Sequence, residues 1–127
     1  MARKKSLQLT EAEQRLMDIL WSLESGTVSE IAEALPKNLD LAYNTVLTIM
    51  RILEDKGYVR HTKAKDGRAF IYRPIVSREQ ASRSALHHLL GRFFGNSAEA
   101  LVLSMIEDET LTEKERKRIR KLLKRDE

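Results

Sequence analysis

One four-residue pattern recurs along this chain and fixes where several of its helices must begin. Thr or Ser, two residues, then Glu or Gln occurs at Thr10–Glu13, Thr27–Glu30, Ser77–Gln80 and Thr112–Glu115. In such a box the hydroxyl accepts from the amide three residues on, and the Glu or Gln side chain accepts from the hydroxyl residue's own N–H. Two donors that a helix start leaves orphaned are thereby satisfied together. Behind the first box, Leu16, Met17, Ile19, Leu20 and Leu23 predict an amphipathic helix ending near Gly26. Behind the second, Val28, Ile31, Ala32 and Leu35 predict a short helix closed by Pro36.

A third helix lacks the box. Asp40 is its expected cap, and Val46, Ile49, Met50 and Leu53 form an apolar stripe that runs to about Lys56 and stops at Gly57. The strand formers Tyr58-Val59 and Phe70-Ile71-Tyr72 follow, with the turn signal Asp66-Gly67 between them. They predict a two-stranded hairpin over about 58–64 and 68–73, ended by Pro74, which cannot extend a ladder. A lone hairpin is marginal in water, so it must pack on the helices, and Tyr58, Val59, Phe70 and Ile71 are the apolar side chains expected to do so. Residues 8–75 thus read helix, helix, helix, hairpin, with only PKNLD between the second and third helices. That is the order of a winged helix-turn-helix domain.

After Pro74 the character changes. Residues 77–95 predict a helix carrying Ala81, Ala85, Leu86, Leu89, Leu90, Phe93 and Phe94. GNSAEALVLSMIEDE predicts a short helix apolar on nearly every side, and LTEKERKRIRKLLKRDE a basic helix with Leu111, Ile119, Leu122 and Leu123 along one side. Three such helices are too small for a core of their own. The expectation is a mainly α protein in which residues 76–127 form a helical dimerisation domain. Leu89, Leu90, Phe93, Phe94, Leu101, Val102, Met105, Ile106, Ile119, Leu122 and Leu123 would bury against a second copy across a two-fold axis. Residues 1–7 read as a flexible basic arm.

The chemistry open to the chain is narrow. Its 127 residues contain no cysteine, which removes disulfides, thiolate metal sites and thiol catalysis together. The histidines are His61, His87 and His88. Adjacent helix positions face different ways, so the last two do not form a metal pair, and no metal or cofactor is expected. No glycine-rich phosphate loop, nucleophile elbow or carboxylate dyad is present, so catalysis is not expected. No apolar run approaches the roughly 18 residues of a membrane span. The opening MARKKSLQLT lacks the apolar stretch of a signal peptide, and a cytoplasmic location is expected. A net charge of +4, from 23 Lys+Arg against 19 Asp+Glu, permits a nucleic-acid partner without demanding one.

The third helix points further. At about 100° per residue its stripe leaves Asn44, Thr48, Arg51 and Asp55 on the opposite side, with Thr45, Leu47 and Ile52 flanking. Solvated faces usually carry Lys and Glu, and this one has neither between Asn44 and Arg51. Asn pairs with adenine, Arg with guanine, and Thr or Leu methyls touch the thymine methyl. Asn44, Thr45, Leu47, Thr48 and Arg51 are therefore the candidate base readers, and Tyr43, Lys63, Lys65 and Arg68 the candidate backbone contacts. From Lys56 to Arg73 six basic residues (Lys56, Arg60, Lys63, Lys65, Arg68, Arg73) face one acid, Asp66. Phosphate contacts from such a tip would release counterions and make binding salt-dependent. The bland alternative is a charged hairpin that only discourages edge-to-edge aggregation. A rival of another class is a winged-helix adaptor that docks a protein partner on the third helix, for which a basic tip has no use.

These segments resemble the penicillinase-repressor (BlaI/MecI/CopY) family of bacterial transcription regulators. The likeness runs from Leu9 to about Leu123. It is carried by LTEAEQRLMDILW, TVSEIAEAL, LAYNTVLTIMRILEDKGYV, GRAFIYRP and LGRFFGNSAEALVLSMIEDETLTEKERKRIRKLL in that order and spacing. The resemblance implies an N-terminal winged-helix domain, a C-terminal dimerisation domain, and repression by binding inverted-repeat operator DNA at a promoter. In the antibiotic-resistance branch it implies a membrane sensor-protease as partner, with cleavage in the C-terminal helices. The matching bond is Ser104–Met105, where that branch has Asn and Phe. The copper branch's cysteine motif is missing, and Ile52 stands where many relatives place an arginine, which this chain has at Arg51.

Overall fold

The computed structural model describes residues 8–125. The basic arm expected over 1–7 lies outside them. Two compact units divide the chain, the first running to Leu86 and the second beginning at His87. The first unit contains α1 (Glu11–Leu23), β1 (Gly26–Thr27), α2 (Val28–Glu33), a 3-10 turn (Lys37–Leu39), α3 (Tyr43–Asp55), β2 (Val59–Lys63), β3 (Phe70–Pro74) and the start of α4 (Arg78–Phe93). The end of α4, α5 (Ala98–Glu107) and α6 (Glu113–Arg125) make up the second.

All four sequence boxes close as reciprocal hydrogen-bonded pairs, at Thr10/Glu13, Thr27/Glu30, Ser77/Gln80 and Thr112/Glu115. Ser97 caps α5 as well, its hydroxyl accepting from the Ala100 amide. Asp40, the expected cap of α3, does not cap it. It follows the 3-10 turn in extended backbone, and α3 begins after Ala42 with no side-chain cap. α1 ends at Leu23, close to Gly26 as expected. Glu24 takes the left-handed conformation there, φ 69°, with its N–H on the Leu20 carbonyl, and Gly26 has already entered β1.

The core of the first unit lies where three helices meet the root of the sheet. Leu16, Met17 and Leu20 from α1, Val28 and Ile31 from α2, and Val46, Met50 and Leu53 from α3 are buried together with Tyr58, Val59 and Tyr72. Burial of side chains this size contributes about 1.5–3 kcal/mol each. The passage from α3 into β2 is a Schellman turn. Gly57, at φ 87°, donates its N–H to the Glu54 carbonyl, and Tyr58 donates to Leu53. A left-handed residue is needed there, which glycine supplies without a Cβ clash.

The expected two-stranded hairpin is the larger part of a three-stranded antiparallel sheet of order β1-β3-β2. β1 pairs Gly26 with Tyr72 and Thr27 with Ile71. It escapes a sequence reading because two residues carry no alternation, and Thr27 serves both strand and cap. The packing residues also differ from expectation. Tyr58 and Val59 are buried, but Tyr72 takes the place assigned to Phe70 and Ile71, which are exposed and half-buried. Phe70 shares a face with Tyr72 but lies nearer the tip, while Ile71 points to the other face, so only the root residue Tyr72 gains cover.

An ion pair ties α1 to the end of α3. The Lys56 ammonium lies 2.6 Å from Glu13 Oε1, and Glu13 is buried. Burial alone would raise the Glu13 pKa. The Lys56 and Thr10 hydrogen bonds and the Lys56 charge outweigh it, and the net shift is downward. Lys56→Met strands this carboxylate and is expected to cost about 1–3 kcal/mol in urea unfolding at pH 7. Because folding lowers the pKa, the stabilisation is full above the ordinary carboxylate value of about 4.3 and is lost as pH falls toward the lower folded value. The difference between wild type and Lys56→Met is therefore expected to shrink at about pH 3.

Candidate nucleic-acid interface

With Val46, Met50 and Leu53 inward, α3 turns Tyr43, Asn44, Thr45, Thr48, Arg51, Ile52 and Asp55 to solvent. Leu47 is half-buried and packs against the core, so it offers an edge rather than a free side chain. The Thr48 hydroxyl donates to the Asn44 carbonyl at 2.9 Å. Its hydrogen is therefore spent on the helix, and what it displays is a methyl group and oxygen lone pairs. Arg51 makes no hydrogen bond or ion pair among the described residues. Tyr72 sits behind this face. Burial, then the Glu54 charge, raises its pKa, while Arg51 acts in the opposite direction, so the phenol stays neutral.

Beside α3 the sheet extends as a wing. Its tip is a loop in which Gly67, at φ 71°, donates to the Ala64 carbonyl, and Ala64 donates to Ala69. Asp66, the one acid of the segment, is held by accepting from the Arg68 amide at 3.0 Å. Lys63, Lys65 and Arg68 are exposed around it. Two of the six cations counted in the sequence are committed elsewhere. Lys56 pairs with Glu13, and Arg73 donates to the Thr62 hydroxyl at 2.8 Å. Arg60 stands directly across the ladder from Arg73, an opposition of like charges that costs stability.

The second unit, taken alone, buries little. No residue of α4, α5 or α6 is fully buried. Phe93 and Leu123 are each 66% exposed, and Leu89, Val102, Ile106, Ile119 and Leu122 are exposed as well. Leu90, Phe94, Leu101, Ser104 and Met105 are half-buried. α5 and α6 enclose an apolar groove of about 360 Å³ lined by Val102, Met105, Ile106, Leu111, Ile119 and Leu123, with Arg116 and Arg120 at its border. Among the described residues no three metal-ligating side chains gather, and no helix is long and apolar enough to cross a membrane.

Three helices, a three-stranded sheet and a polar helix face left outward beside a basic wing define a winged helix-turn-helix protein. The profile of the family described as Penicillinase repressor matches residues 9–125, and the chain belongs to that family, whose members are transcriptional repressors. It is 29% identical over 112 residues to the penicillinase repressor of Bacillus licheniformis, covering 88% of this chain and 86% of that protein. It is 32% identical over 121 residues to the transcriptional regulator BlaI of Mycobacterium tuberculosis, covering 81% and 86%. The solution structure of the DNA-binding domain of the repressor BlaI superposes with a TM-score of 0.50 at 28% identity, over 61% of this chain and 93% of that one.

The wing tip gives a stability test. A Cβ added at Gly67 meets nothing within 4 Å, so the cost of Gly67→Ala is conformational alone. Its left-handed φ predicts a loss of about 1–2 kcal/mol, read as a lower thermal midpoint.

Proposed function

We propose that this chain is a dimeric, sequence-specific DNA-binding repressor of transcription that acts on an inverted-repeat operator. Residues 8–75 read the DNA, with α3 in the major groove, Asn44, Thr45, Leu47, Thr48 and Arg51 at base edges, and Tyr43, Lys63, Lys65 and Arg68 on the backbone. Residues 76–127 hold two copies together and so set the half-site spacing. The observation that carries the reading is the outward face of α3: Asn44, Thr45 and Thr48 beside the Arg51 guanidinium, which has no hydrogen-bond or ion-pair partner among the described residues. Two others support it. Among the described residues α3 is the one α-helix without a side-chain cap, and phosphate groups satisfy such helix starts well. The apolar surface of α4, α5 and α6 is more than a single copy covers.

A dimer is also the natural point of control. One reading unit makes about half the contacts, and losing ~4 kcal/mol weakens binding roughly 10³-fold. Relief by a membrane sensor-protease belongs to the same proposal, with cleavage between Ser104 and Met105. Both lie within α5, so that helix must unwind locally before a protease can bind its backbone.

Arg51→Ala and Thr48→Ala are expected to weaken operator binding by ~1–3 kcal/mol per lost base contact and to leave random DNA nearly unaffected. Lys65→Ala is expected to weaken both and to flatten the salt dependence by about one counterion. Equal losses on both kinds of DNA from all three variants would rule out the division between reading helix and wing. A chain ending at Leu86 is expected to sediment as a monomer, and a stable dimer of it would refute the role given to the C-terminal helices.

A further inference from the structure

The seam between α3 and the wing holds one contact that base reading as proposed does not use. Glu54, one turn after Arg51, reaches across to β2 and meets His61 Nδ1 at 2.7 Å through Oε1 and 2.8 Å through Oε2. A carboxylate only accepts, so Nδ1 carries the hydrogen. The imidazole rests on the wing's aromatic rings, with centroids 4.7 Å from Phe70 and 5.5 Å from Tyr72. The ring is therefore a fixed anchor, and it turns the carboxylate toward the sheet.

Arg51 and Glu54 are three residues apart, the separation at which opposite charges on an exposed helix pair. They do not pair here, because the Glu54 carboxylate is taken by His61. We propose that His61 is a positioning residue for DNA reading: by holding Glu54 against the wing it keeps the Arg51 guanidinium free for a base edge. This rests on the DNA-reading function proposed above. Without His61, Glu54 would close on Arg51, and only the fraction of molecules with that pair broken could bind, so the apparent affinity would fall by that fraction.

The test measures binding of the whole chain to a duplex selected from a random pool, and to a scrambled duplex, at fixed salt. His61→Ala is expected to weaken the selected duplex about 10-fold or more, the order of one base contact, and the scrambled duplex far less. Adding Glu54→Gln to His61→Ala is expected to restore most of the affinity, because an amide does not hold the guanidinium as a carboxylate does. An imidazole needed only for packing gives no such rescue. Glu54→Gln alone is expected to bind at least as tightly as wild type. The inference is overturned by His61→Ala binding as wild type does, by failure of the rescue, or by Glu54→Gln alone weakening as much as His61→Ala. A wild-type chain with no preference for any duplex would overturn the DNA reading itself, and this with it. A wild-type preference that survives His61→Ala overturns this inference alone.

Discussion

The burial of Val46, Met50 and Leu53 against α1 and α2 governs the rest of the first unit. A helix has one direction for each residue, so covering these three leaves Asn44, Thr48 and Arg51 no place but the surface. The same packing fixes where α3 stops. Its last turn closes at Gly57, and the Schellman bonds return Tyr58 and Val59 to the core, so the chain departs as β2 along the flank of the helix it has just left. Reading face and wing therefore follow from a single arrangement of apolar side chains. Lys56 adds to it from the cap position, pinning the end of α3 to the first turn of α1 through Glu13.

Those parts of the fold whose signal is local were legible beforehand. Each Ser/Thr box is complete within four residues, and each closed as expected. The α3 stripe has the helical period, and its buried members are the predicted ones, with Ile49 half-buried at the margin. The misses share a cause. β1 is defined by its partner β3 and not by its own two residues, and Tyr72 outranks Phe70 and Ile71 because of how far along the hairpin the helices reach. Asp40 has the right chemistry for a cap, but it is spent as the end of the 3-10 turn, and the N-cap position of α3 falls two residues later, at Ala42. At the interface, charge was readable and commitment was not. Lys56 and Arg73 look identical to Lys65 and Arg68 in a sequence, yet their partners, Glu13 and Thr62, lie on other segments of the fold.

The two units handle apolar surface in opposite ways. The first gathers Leu16, Met17, Leu20, Ile31, Val46, Met50 and Leu53 into a fully buried core within one chain. The second keeps Phe93 and Leu123 in the open and shapes α5 and α6 around a groove. α6 meanwhile carries eight basic residues between Lys114 and Arg125. Apolar surface on that scale is unfavourable in water at about 25 cal/mol per Å². The drive to cover it is the physical basis of the second copy proposed above.

Trp21 is the sole tryptophan of the chain, and its position gives it a further property. Its indole N–H donates to the Val76 carbonyl at 2.9 Å, and the Arg78 guanidinium lies 4.8 Å from the ring centroid while bonding Asp18. Indole emission shifts with polarity and is altered by a nearby cation. The strap that carries the chain out of the sheet and into the next helix therefore rests on the protein's own fluorophore. Whether that strap is seated or lifted can be followed as a colour change from a single side chain, with no label attached.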